Sequence, residues 1–168
     1  MRKLLLCLFT FVLIGISAPI AAAAPISYAT LPGFGNAFAG SPPDALGVQN
    51  EQLSSCPSSP NCVASQNSDE AHAIEPISYS GSQETAKENL LKVLSVVPRT
   101  NLITEADNYI RVEFQTKLLG FIDDGEFYFP SDQSVVHVRS ASRLGESDLN
   151  LNRRRIEQIR LAMADLKS

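Results

Sequence analysis

The sequence predicts an α+β domain of two layers, in the order β-α-β-β-β-α, with an antiparallel sheet and two helices on one face. Three observations carry that expectation. Residues 83–97 and 147–166 place apolar side chains at helical spacing. Three intervening runs, 108–116, 121–129 and 134–143, show the period of two that marks a half-buried strand. The links between those runs are short, and short links join antiparallel neighbours.

The first strand is expected at 73–80, where Pro76 confines it to a sheet edge because proline has no N–H for a ladder. Ser82 is a good N-cap for the helix that follows. Ala86, Leu90, Val93, Leu94 and Val97 share one face of that helix, and Pro98 stops it. In the next strand Ile110, Val112 and Phe114 fall on one side; Phe121, Phe127 and Phe129 do so in the second, and Val136 and Val138 in the third. The last helix should bury Leu149, Ile156, Ile159, Met163 and Leu166, with Ser147 or Asp148 as its cap.

Ahead of the domain lies a leader-like segment. Arg2 and Lys3 precede an apolar run over 4–16 and a small-residue zone over 17–25, the layout of a cleaved signal peptide with the cut expected after Ala23. The run is shorter than the roughly 20 residues that span a bilayer, and no later segment is apolar enough to do so. The mature part, roughly 145 residues, suits one domain. Residues 24–53, rich in Ala, Pro and Gly, read as a linker or surface arm that Leu31, Phe34 and Phe38 could pin; residues 54–168 form the folded domain. The expected compartment is the periplasm, the thylakoid lumen or the extracellular space.

The formal net charge is −4. Loss of Arg2 and Lys3 makes the mature chain more acidic, which disfavours nucleic acid as a partner. Cys7 leaves with the leader, so Cys56 and Cys62 remain, six residues apart across a loop stiffened by Pro57 and Pro60. In an oxidising compartment such a pair reads as a disulfide. The rival is zinc, which would need two further ligands from His72 and His137.

Matching the apolar faces of the second hairpin, with its turn at 130–133, sets Phe127 opposite Val136, Glu126 opposite His137 and Asp124 opposite Arg139. The face away from the helices would then carry Arg111, Glu113, Asp124, Glu126, His137, Arg139 and Arg143. Such a face is either the ordinary solvated side of an antiparallel sheet or a surface for a partner protein or small polar ligand. Alternation puts Asp123 on the apolar side opposite Ser140, where it needs a partner; a bulge at Gly125, Arg143 or an arginine of the last helix would supply relief.

Tests for reaction chemistry are mostly negative. No Gly-x-Ser-x-Gly elbow supports Ser140 beside His137 as a hydrolase nucleophile. Asp123, Asp124 and Glu126 could do acid–base work or hold a divalent cation, but only two of the three share a strand face. No phosphate loop or dinucleotide fingerprint occurs, and no cofactor or resident metal is expected. Arg153, Arg154 and Arg155 could bind an anion or form a solvated helix start with one side chain turned inward.

Three motifs together resemble the domain-of-unknown-function 1499 family. They are Cys56 to Ser65, with its Cys-Pro-x-x-Pro-Asn-Cys loop, Phe121 to Phe127, with Asp-Asp-x-Glu-Phe, and His137 to Gly145 followed by Ser147, Asp148 and Asn152 to Ile156. Asn150-Leu151 departs from the glycine common there. The resemblance implies no reaction, but it implies that the cysteine loop, the acidic strand and the Arg139-to-Arg143 strand belong to one design. The candidate site is therefore Asp123, Asp124, Glu126, His137, Arg139, Ser140, Arg143, Asp148 and Arg153. The expected function is an exported, non-catalytic binding or accessory protein. The alternatives are a metal-assisted hydrolase on the acidic strand and a structural envelope protein.

Overall fold

Residues 38–166 are described by a computed structural model. The leader and residues 24–37 of the arm lie outside the described residues. The elements run β1 (Cys62–Ala64), β2 (Ile77–Ser78), α1 (Gln83–Val96), β3 (Thr100–Ala106), β4 (Tyr109–Gln115), β5 (Ile122–Tyr128), β6 (Val135–Ser142) and α2 (Leu151–Asp165). All the strand pairings are antiparallel, in the order β1-β6-β5-β4-β3, with β2 paired beside β1 on β6. Both helices pack on one face, as the periodicities predict.

The helix-side core is built from the expected stripes. Leu90, Val93 and Leu94 of α1 and Ile156, Ile159 and Met163 of α2 meet Ile110, Val112, Phe114, Phe127, Val136 and Val138 of the sheet. Each such side chain, fully buried, contributes about 1.5–3 kcal/mol. Ser82 caps α1 by accepting a hydrogen bond from Thr85 N, as expected.

Four details differ from the sequence reading. The strand expected over 73–80 contracts to two residues after Pro76. Two strands went unread: β1, with three residues, and β3, whose Thr-Asn-Leu-Ile-Thr-Glu-Ala has no apolar alternation because it is an exposed edge. Helix α2 starts later than Ser147, since Leu149 and Asn150 both adopt left-handed backbone (φ 54° and 61°); Leu149, expected in the buried stripe, is 80% exposed. Leu166 is likewise exposed, at the point where the helix ends. The β5–β6 register lies two residues from the expected one: Phe127 faces Val138, Glu126 faces Arg139 and Tyr128 faces His137. The turn is longer because Val135 and Val136 pair with β2, while Phe129 N bonds to Asn108 O. A shift of two preserves the faces and changes only the partners.

Candidate functional site

The charged face of the sheet is assembled as the alternation predicts, but it is closed. Asp124, 1% exposed, accepts from Arg111 Nη2 at 2.8 Å and from Arg143 through Nε at 2.7 Å and Nη2 at 2.9 Å. Arg143 also reaches Glu113. Glu126, with no exposed surface, accepts from Tyr109 Oη at 2.8 Å, Gly47 N at 2.7 Å and Arg139 Nη1 at 3.1 Å. The cover is the chain's own arm. Gly47 binds Glu126, Gly40 O accepts from Arg143, and Leu53 packs with Val48 against Tyr109 and Tyr128.

Electrostatics follow from that closure. Burial alone would raise the pKa of Asp124, but hydrogen bonds from Arg143 and Arg111 more than offset it and hold the carboxyl below its usual value. Hydrogen bonds to Asp124 and Glu113, against the opposing effect of burial, push the Arg143 guanidinium up. Burial and the Glu126 charge raise the Tyr109 phenol well above its ordinary value. A carboxylate so firmly ionised is poorly poised for proton transfer at neutral pH.

The other sequence candidates separate. Asp123 lies on the helix side, where Ser142 Oγ donates to Oδ1 at 2.6 Å and Arg155 Nη2 stands 2.9 Å from Oδ2. That second contact is ionic rather than a well-aligned hydrogen bond, since Oδ2 has no directional donor among the described residues. Arg155 is thus the inward-turned arginine of the last helix, and it also lies over the Phe114 ring at 4.4 Å. No bulge forms at Gly125, and Asp123 faces Ser142 rather than Ser140. Ser140 donates to Asn152 Oδ1 at 2.5 Å on the helix side, whereas His137 lies on the opposite face, its Nδ1 3.1 Å from Ser65 Oγ, its ring stacked on Tyr128. Burial lowers the His137 pKa, and Asp132 opposes that shift. Asp148 accepts from Asn150 N and Asn152 N, and so caps α2; Arg153 donates to the carbonyls of Ala71 and Ala73. His72 joins Asp69 and Ser59 O. Cys56 and Cys62 form a disulfide, which removes them as metal ligands. Among the described residues no three His, Cys, Asp or Glu side chains are grouped to hold a metal ion, and no helix is long and apolar enough to cross a membrane.

The profile of a family described as a protein of unknown function, DUF1499, matches residues 52–163. The chain belongs to the DUF1499 family. No curated protein and no solved structure matches it.

The open concavity of this DUF1499 domain is a separate feature, lined by two of the sequence candidates, Asp123 and Asp148. A cleft of about 660 Å³ opens between the end of α1, the β4–β5 turn, the loop after β6 and the start of α2. Its size falls in the range of small-molecule sites, roughly 300–1,000 Å³. Asp123, Ser142 and Arg155 line it together with exposed apolar side chains: Leu118 (65%), Leu119, Leu144 and Leu149. Arg99 and Leu149, both in the lining, hold left-handed backbone conformations that cost about 1–2 kcal/mol in a non-glycine residue. Strained backbone of this kind concentrates at ligand-binding segments. The legible signal was the pair Leu118-Leu119 in a hairpin turn, a place that ordinarily carries polar residues.

Proposed function

We propose that this DUF1499 protein is an exported, non-catalytic binding protein whose ligand occupies the cleft beside the β4–β5 turn. The observation that carries the reading is the cleft itself, rimmed by exposed leucines and lined by arginines, in a fold whose charged sheet face is paired up internally. The sequence had pointed to the charged sheet face. Its carboxylates are bound by arginines beneath residues 40–53, which favours a structural role for them. Export is supported by the leader-like sequence of residues 1–23 and agrees with the Cys56–Cys62 disulfide. The acidic strand lends no support to hydrolase chemistry, because Asp123 and Asp124 are committed to different arginines on opposite faces.

Native mass spectrometry on protein purified gently from an exporting host tests both halves. The expected spectrum shows a chain cut near Ala23, the loss of two hydrogens at the cystine and a bound organic mass that disappears in Leu144→Trp, which fills the cleft. A chain retaining its leader would refute export. A bare protein whose melting is unmoved by any of a panel of organic ligands would refute binding.

A further inference from the structure

The charge distribution of the cleft specifies its ligand more narrowly. Arg99, Lys117, Arg154 and Arg155 line it against two carboxylates, Asp123 and Asp148. Asp123 is engaged by Arg155, and both oxygens of Asp148 accept backbone N–H groups. Arg99, Lys117 and Arg154 therefore have no carboxylate partner among the described residues. Arg99 lies close enough to Arg155 to oppose its charge. Net positive charge, four cations against two carboxylates, is thus concentrated in one concave place on a chain whose net charge is −4. Arg154 adds a cation to the first turn of α2, which holds no acidic residue of its own, although Asp148 just ahead of it binds Asn152 N.

The apolar part adjoins it. Leu118 and Leu119 sit on the β4–β5 turn, and Leu144 and Leu149 on the loop facing it. Four of the large exposed hydrophobic residues of the described chain are gathered here, and an exposed apolar group of this kind marks a binding site. Resting on the binding reading above, we infer that the cleft takes a single-chain amphipathic anion, its carboxylate or phosphate head against Arg99 and Arg154 and its hydrocarbon body against the four leucines.

The test is a fluorescence or calorimetric titration of the mature protein with four probes of equal chain length, each below its micellar concentration: decanoate, decyl phosphate, decanol and decyltrimethylammonium. Both anions should bind, decanol about tenfold more weakly, as expected for loss of a charge-assisted contact, and the cation not measurably. Arg154→Glu and Arg99→Gln should each weaken the anions about tenfold, while Lys92→Glu, an equal charge change to Arg154→Glu on exposed α1, should not. Thermal melts of each variant confirm that it is folded. Equal affinity for anion, alcohol and cation would overturn the anion assignment and leave an apolar binding cleft. Binding to vesicles of anionic phospholipid without binding to the soluble anions would overturn the single-chain ligand in favour of a membrane surface. Failure of all four probes on a protein that still carries a bound mass would refute the inference alone; failure on a bare protein would refute the binding reading with it.

Discussion

Gly125 lies at the centre of the Asp-Asp-Gly-Glu-Phe strand, and its replacement by alanine has a calculable outcome. Its backbone conformation is one that any residue adopts, so only space is at issue. A Cβ there would collide with Phe114 Cε2 and stand 3.0 Å from Val112 Cγ2. The Phe114 ring cannot withdraw easily, because the Arg155 guanidinium lies over it at 4.4 Å and is itself tied to Asp123. Overpacking of this kind costs about 1–3 kcal/mol. Alanine returns about 0.4–1 kcal/mol by restricting the unfolded chain. The net destabilisation is about 0–2.6 kcal/mol, or about 1.3 kcal/mol at the midpoints, which lowers Tm by roughly 3–6 °C for a domain of this size. Differential scanning calorimetry on Gly125→Ala, Phe114→Leu and the double variant would read it. The double variant should be more stable than the sum of the single changes allows, by about 1 kcal/mol. A Gly125→Ala protein that melts at or above the wild-type temperature, or strict additivity in the cycle, would show that Phe114 does not hold this position to glycine.

Other outcomes follow from the same contacts. Glu126→Gln leaves the Arg139 guanidinium buried without its countercharge and should cost about 3–5 kcal/mol by urea denaturation, whereas replacing the pair together with Leu and Met should cost less. Asp124 is held below its ordinary carboxylate value when folded, so its contribution is complete above pH about 4 and is lost as the pH falls through its folded value; Asp124→Asn should remove that part of the acid-unfolding slope. For His137 burial depresses the pKa, so the unfolded chain takes up the proton first and stability declines as the pH drops below about 6.5; His137→Gln should flatten the curve there. Reducing Cys56–Cys62 opens a short loop and should cost about 2 kcal/mol in midpoint denaturation measurements.

Periodicity made both helices and three of the four long strands legible, since α1, α2, β4, β5 and β6 each bury a regular stripe. β3 stayed hidden because an exposed edge needs no apolar alternation, and β1 because three residues carry too little pattern. The composition of the charged face was readable, and so was the inward arginine of the last helix that answers Asp123. The partners across β5 and β6 were not, because β2 claims the first residues of β6 and lengthens the turn. The cleft was invisible for a different reason. Its walls come from four separate segments, and Leu149 was assigned to the core by a helical period that its left-handed backbone interrupts.

The segment 38–51 precedes the region shared with the family, yet it lies against that region's most buried charges. It acts as an electrical insulator. By keeping water from Asp124 and Glu126 it holds the local permittivity down, so the five ion pairs among Arg111, Glu113, Asp124, Glu126, Arg139 and Arg143 act at more than surface strength. A chain trimmed to residues 52–163 would keep every one of those side chains and lose the medium in which they attract; each pair would fall toward the 0–1 kcal/mol of a solvated one. The boundary set by shared ancestry is therefore narrower than the one set by electrostatics.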